Sequence, residues 1–390
     1  MTPEAHLALH RSLDESAADA LLTERELDVR RQVREVVAHE VVPRAEHEHE
    51  FVHDGYQALA RAGLAGLTFP EELGGTADST VAYAVAIEEI TAGCASTSLI
   101  YMTQAHTATP ITAAGTNALA REYVPGLLSG ERYGSLAVTE PDAGSDAAAL
   151  RTTATPHGDG FRLTGSKTFI TTGDKADVLV CFATADRALG RRGVTAFVVD
   201  GASPGLSRGA PFAKLGMHGS TTAEVFLDGV EVPGDHVLGE VGGGWRVLLD
   251  SVVKSRISAA AQGVGLARAA YARTLSALGR HLSPEAAFAL AGLRGRILQG
   301  RLLLHAVARQ VDVAAEPPTG QIAIMKQSCT DLGWYAAREA VRILGPYGDL
   351  VGPGVERCLR DAAVTRIYDG TNEIQRMLIA RDTARAREER

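Results

Sequence analysis

Cysteine is scarce in this chain: four in 390 residues, Cys94, Cys181, Cys329 and Cys358, far apart and with no C-x-x-C pair. That spacing offers neither a disulfide framework nor a zinc site, and reduced thiols fit it best. An excess of positive charge is also missing. Basic residues number 39 against 47 acidic ones, a formal charge of −8, which removes the net attraction to phosphate that a nucleic-acid partner exploits. No run of about 18 apolar residues occurs, and the opening MTPEAHLALHRSLDESAADALL has acidic residues and no apolar h-region. Neither a membrane partner nor a secretory leader is expected, so the expected location is cytoplasmic. No G-x-G-x-x-G follows a strand pattern, which argues against a Rossmann nicotinamide site. Internal repeats and low-complexity tracts are absent as well.

With 45% apolar and 22% charged residues the composition is that of an ordinary globular protein, long enough for two or three domains. Thr23 and Glu26 form a Thr-x-x-Glu capping box ahead of a helical apolar period, and Pro43 is expected to end or kink that helix. Helical patterns continue to about residue 135. Between 136 and 240 the period shortens to strands, with a hairpin expected around Thr164-Gly165-Ser166 in GFRLTGSKTFIT. Such short strands predict a small β-sandwich or barrel. From 241 to 390 the chain is again helical and rich in Ala and Gly, as in a closely packed bundle. The fold class is therefore α+β and multidomain, with expected domains 1–135, 136–240 and 241–390.

Two local features call for chemistry. EHEHEFVHD offers His47, His49 and His53, but residues two apart on a helix do not share a face, so no metal site is expected there. RIYDGTNEIQR, from Arg366 to Arg376, sets one carboxylate before a glycine and a set of hydrogen-bonding side chains at a helix start.

That turn, together with LAVTEPDAGSDAAALRTTA, GFRLTGSKTFITTGDKADVLVCFATAD and KLGMHGSTTAEVFLDGVEVPGDHVLGEVGGGW, resembles the acyl-CoA dehydrogenase family, in the same order over nearly the whole chain. The resemblance implies an N-terminal helical domain, a central β-domain and a C-terminal four-helix bundle, assembled as a homodimer or homotetramer. It also implies FAD between the β-domain and the C-terminal helices, and α,β-dehydrogenation of an acyl thioester carried on CoA or an acyl carrier protein. An electron-transfer flavoprotein, or O2, would take the electrons. An α C–H is a weak acid, so such a reaction needs a carboxylate of raised pKa in a dry pocket and donors for the enolate-like charge.

By the same resemblance, Val138 and Thr139 line the flavin and Ser145 touches the cofactor or the pantetheine arm. Phe169 and Thr171 lie against the flavin ring, and Thr371 and Glu373 hold its ribityl and phosphate region. Without the family, these residues read as a glycine turn, a half-buried strand and a helix N-cap. Arg256 matches an arginine near the acyl-carrier arm. Asp369 is the expected base, with Tyr368 and Gly370 flanking it on the substrate side.

Three departures from the family pattern stand out. Val253 replaces a usual acidic residue that would hydrogen-bond the pantetheine chain, which points away from ordinary CoA. The Arg-x-x-Phe-Gly segment that reaches FAD across the subunit interface is missing, with His281 and Pro284 where its Arg and Phe would align. Arg342, ahead of Gly345, is a substitute pyrophosphate anchor or else a surface ion pair. Finally, the family base is a glutamate, and Asp369 is shorter by one C–C bond, about 1.5 Å. The alternative position for a base, before the arginine, is Ser255. A flavin monooxygenase or oxidase on the same fold is the competing enzyme reading, and an assembly subunit that has lost FAD is a third.

Overall fold

The computed structural model describes residues 2–12, 16–47, 51–279, 282–352 and 354–388. Its N-terminal third is helical: α1 (Pro3–Ser12), α2 (Ser16–Asp19), α3 (Glu24–Val36), α4 (His53–Arg61), α5 (Thr80–Gly93), α6 (Ala95–Ala114) and α7 (Asn117–Ser129). α3 starts at the expected capping box, with Thr23 Oγ1 accepting from the Glu26 N–H and Glu26 accepting from the Thr23 N–H. The chain leaves α geometry before Pro43, through a π turn at Val37–Val41 and a 3-10 turn at Val42–His47. Proline lacks the N–H that an α-helix would use there. His53 is exposed and pairs with its neighbour Asp54 at 3.3 Å, and His49 lies outside the described residues.

α5 and α6 are buried nearly all round, so they form the helical core rather than its surface. Two acids on α5, Glu88 and Glu89, sit inside that core and are met by Arg34 at 2.6 Å, Arg268 at 2.6 and 2.8 Å, and Arg301 at 2.9 Å. Charges this deeply buried persist only when paired, and these pairs tie α3 and α5 to the C-terminal helices.

The middle of the chain holds eight strands: β1 (Gly134–Ala137), β2 (Thr153–His157), β3 (Gly160–Thr171), β4 (Val178–Thr184), β5 (Val194–Asp200), β6 (Leu206–Arg208), β7 (Thr222–Pro233) and β8 (Val237–Leu238). They hydrogen-bond in the order β6-β7-β3-β2-β4-β5-β8, with β1 parallel to β4, as one mixed sheet. The hairpin turn is not at Thr164-Gly165-Ser166. β2 turns into β3 at Gly158-Asp159, and β3 runs straight on through residues 164–166. Gly165 lies instead beside a register shift whose extra residue is on β7, between Leu227 and Val230, and a side chain at Gly165 would meet Thr152 at 2.6 Å.

Five helices complete the chain: α8 (Gly244–Leu278), α9 (Pro284–Val313), α10 (Thr319–Leu344), α11 (Val355–Thr365) and α12 (Asn372–Glu388). α8 is the shared spine, packed on α5 and α6 on one side and on α9, α10 and α11 on the other. α11 docks on the β-domain at Gly216, where any Cβ would come within 2.4 Å of the Arg360 carbonyl oxygen. Met217 N–H donates to Asp361 Oδ1 at 2.5 Å in the same contact. This junction delivers the chain directly into the turn 366–371.

Candidate active site

The turn between α11 and α12 carries two consecutive left-handed residues, Asp369 with φ of 55° and Gly370 with φ of 83°. Glycine adopts that conformation freely and aspartate tolerates it, whereas most residues do not. A side chain at 370 would also strike Gln375 Nε2 at 2.7 Å. The turn is caged by its neighbours. Lys326 on α10 donates to the Gly370 carbonyl at 2.9 Å and to Asn372 Oδ1 at 3.1 Å, and Gln375 Nε2 donates to the same carbonyl at 2.9 Å. Arg366 and Asn372 both donate to Asp331 Oδ1, at 2.8 and 3.0 Å. The Tyr368 hydroxyl donates to Gln262 on α8.

Inside this cage Oδ2 of Asp369 is buried with no hydrogen-bond partner. Burial pushes its carboxyl up from the ordinary 3.8 to about 7, against the pull of Lys326, the Ser255 hydroxyl and Arg256. The same burial brings the Lys326 ammonium down to about 8, with Asp369 pulling it upward. Ser255 is buried and donates to the Val252 carbonyl at 3.2 Å, a long bond that leaves its hydroxyl able to turn onto Asp369. Arg256 Nε is buried without a partner, and its guanidinium lies 4.0 Å from where a side chain at 370 would start. A carboxylate poised near neutrality among two cations and a hydroxyl is suited to general-base work.

The other candidate residues gather on the β-domain. Lys167, wholly buried, holds Glu140 at 2.7 Å and the Val138 carbonyl at 3.2 Å. Glu140 in turn accepts from the N–H groups of Arg151 and Thr152. This pins both ends of the loop that bears Val138, Thr139 and Ser145. The Thr168 N–H donates to the Thr139 carbonyl at 2.9 Å, and Ser135 Oγ donates to the Thr171 carbonyl at 2.8 Å. A bulge in β3, between Lys167 and Ile170, turns Phe169 to a left-handed φ of 56° and leaves its ring 67% exposed beside Phe212. Backbone outliers of this kind cluster at functional sites. Close by, Thr172 Oγ1, Ser220 Oγ and Thr221 Oγ1 are buried without partners, linked through the Thr172 N–H to Thr221 carbonyl bond of 2.9 Å.

Thr371 Oγ1 accepts from the Ile374 N–H at 3.3 Å, so it caps α12, and Glu373 stands exposed in the first turn of that helix. Arg342 and Gly345 lie at the end of α10. Among the described residues Arg342 is ion-paired with Glu339 at 2.8 Å and Glu285 at 3.1 Å and with none of the other candidates. Pro284 begins α9, and His281 lies outside the described residues. Sequence reading passed over Lys326. Its signal was faint, a lone lysine inside an otherwise apolar helical period.

Three family models match the chain: "Acyl-CoA dehydrogenase, N-terminal domain" over residues 23–131, "middle domain" over 135–230 and "C-terminal domain" over 242–384. The chain belongs to the acyl-CoA dehydrogenase family. An acyl-CoA dehydrogenase of Bacillus subtilis is 36% identical over 92% of this chain and 98% of its own length. Among solved structures, a prolyl acyl carrier protein oxidase, AnaB, superposes with a TM-score of 0.86 at 28% identity, covering 93% of this chain and 99% of that one. A glutaryl-CoA dehydrogenase from Mycobacterium smegmatis in complex with FADH2 does so with a TM-score of 0.88 at 25% identity, covering 94% and 96%. The family is one of flavin oxidoreductases, and this acyl-CoA dehydrogenase family member is an enzyme with the family's helical, mixed-sheet and helical layers.

Proposed function

We propose that this family member catalyses the FAD-dependent α,β-dehydrogenation of an acyl thioester, with Asp369 taking the α-proton. The observation that carries the reading is the unpartnered, buried Oδ2 of Asp369, with the carboxyl raised to about 7 between Lys326 and Arg256. A carboxylate so raised is basic enough to accept a carbon-bound proton and still ionised in half the molecules at neutral pH. Arg256, with its free Nε, and Lys326 supply positive potential for the enolate charge that forms as the proton leaves. Tyr368, Gly370 and Ser145 line the approach of the thioester.

The residues present fit a flavin. The exposed Phe169 ring and the unpartnered Thr172, Ser220 and Thr221 hydroxyls support a planar, hydrogen-bonding guest beside Val138, Thr139 and Thr171. Thr371 and Glu373 would hold its polar tail at the start of α12, where unpaired N–H groups face an anion. When bound, FAD would supply the acceptor for the hydride of the β-carbon. Arg342 is kept in the proposal as a pyrophosphate contact lent to a neighbouring subunit of a homodimer or homotetramer, together with the flexible Gly345 that follows.

CoA or an acyl carrier protein bears the thioester, and Val253 supports the second because it cannot accept the usual hydrogen bond from a pantetheine amide. An electron-transfer flavoprotein or O2 is the proposed acceptor, and a cytoplasmic location accords with four free, buried cysteines. The domain divisions after residues 135 and 240 belong to the same proposal. Anaerobic mixing of the yellow holoprotein with acyl-CoA and acyl-carrier-protein panels should bleach the flavin. Asp369→Asn should abolish bleaching with FAD retained, and unchanged reduction in that variant would remove the base assignment.

A further inference from the structure

Lys254 precedes Ser255 on α8 and points into the same helical layer, yet nothing in the dehydrogenation step described above uses it. Its Nζ donates to Thr68 Oγ1 at 2.6 Å and to Thr109 Oγ1 at 3.1 Å, and stands 4.2 Å from the centre of the Phe69 ring and 5.3 Å from that of Tyr83. No carboxylate pairs with it among the described residues. The contrast with Lys167 is direct: that ammonium, wholly buried, has Glu140 at 2.7 Å. Burial with no compensating anion brings Lys254 down to about 7.

A polar cluster surrounds this cation, one residue before Ser255, whose hydroxyl faces Asp369. Ser258, one turn along α8, donates to the Lys254 carbonyl at 2.9 Å and meets the Tyr83 hydroxyl at 2.9 Å and His106 Nε2 at 3.0 Å. Tyr83 presents its ring to Lys254, and the charge of Asp369, after burial itself, helps raise its hydroxyl. Lys254, Thr68 and Thr109 retain accessible surface, whereas Phe69, Tyr83 and His106 are buried. An alkyl chain laid beside this cluster would strip water from Lys254, Thr68 and Thr109 and bring the ammonium no anion, which is costly.

We propose that Lys254, with Thr68 and Thr109, binds a carboxylate at the distal end of the acyl group, so that the preferred substrates are ω-carboxyl acyl thioesters. The inference rests on the dehydrogenase reading, with Asp369 at one end of the acyl path and Lys254 at the other. The ammonium gains the anion it lacks, and Thr68 donates its hydroxyl hydrogen to the second carboxylate oxygen.

The test uses the holoenzyme with succinyl-, glutaryl- and adipoyl-CoA against butyryl-, pentanoyl- and hexanoyl-CoA, following flavin bleaching and kcat/KM. Wild type should favour an ω-carboxyl member over its alkyl counterpart by about 100-fold or more, the scale on which a site built for a polar group rejects its absence. In Lys254→Met that ratio should fall to about one, chiefly through KM. Thr68→Val should lower it about tenfold, and carries the test should Lys254→Met not fold. Equal or better turnover of the alkyl series by wild type overturns the inference, as does a parallel fall of both series in Lys254→Met. If neither series bleaches the wild-type flavin, the dehydrogenation of acyl-CoA itself fails, and the inference falls with it.

Discussion

Lys326 Nζ donates to the Gly370 carbonyl at 2.9 Å, one residue beyond the carboxylate of Asp369. One lysine thus fixes the turn by a backbone bond and biases the base by its charge. Lys326→Met should keep FAD and reduce kcat about tenfold to a hundredfold, the cost of a base displaced by about 1 Å. Because the ammonium pulls the Asp369 carboxyl downward, its loss should also move the acidic limb of the kcat/KM profile to higher pH. A merely structural lysine would lower the rate and leave the limb in place.

The wild-type profile follows from the same group. Asp369 must be ionised to accept the α-proton, and its carboxyl is raised to about 7. kcat/KM should therefore climb tenfold per pH unit below that value and level off above it. Stopped-flow bleaching between about pH 5.5 and 9 checks the limb. An acidic limb near 4, the range of an unburied aspartate, would contradict the burial of this group.

Asp369→Glu restores the family's usual side chain, and here it should do harm. The carboxylate would advance by about 1.5 Å into a cage whose walls, Ser255, Lys326 and the Gly370 carbonyl, are set around the shorter residue. A loss of roughly a hundredfold in kcat is expected. A gain would mean that the substrate sits where a glutamate would reach it.

Much of this site was legible in sequence because the motifs are local. RIYDGTNEIQR contains the proposed base, the glycine and the helix cap within six residues, and the capping box at Thr23 and Glu26 appears as written. What escaped was determined by distance or by bulges. Lys326 lies 43 residues before Asp369, and only the fold of α10 against the turn brings them together. The hairpin was misplaced because Thr164-Gly165-Ser166 has turn-forming residues, while the chain keeps Gly165 within a long strand, where it lets Thr152 approach closely. Phe169 was named through the resemblance, while the strand pattern alone gave no sign of the bulge that turns it outward.

Phe169 offers a separation of stability from function. Its left-handed backbone costs on the order of 1 kcal/mol for a bulky residue, so Phe169→Gly should raise the melting temperature of the apoprotein or leave it unchanged. The same substitution removes the exposed ring beside Phe212 and should weaken FAD binding at least tenfold, the loss expected for about 1.4 kcal/mol of stacking. Fluorescence titration of apoprotein with FAD gives the second quantity. Unaltered affinity would show that the ring does not face the flavin.

Buried histidines set the acid limit of the fold. His6 and His10 on α1 pack ring to ring at 4.3 Å, and Arg268 lies against His10 at 3.4 Å. Burial brings His6 from 6.5 to about 4 and, with Arg268, His10 well below its ordinary value. Both are therefore neutral when folded and gain protons on unfolding below about 6.5, so stability is full above that pH and declines as pH falls toward 4. Each contributes about 1.4 kcal/mol per pH unit across that window. His6→Leu removes one of these protons and a ring nitrogen that has no partner. It should flatten the denaturation-midpoint slope between about pH 6 and 4.5 by one proton's worth, and a slope that does not change would mean that α1 has already detached before the rest of the fold opens.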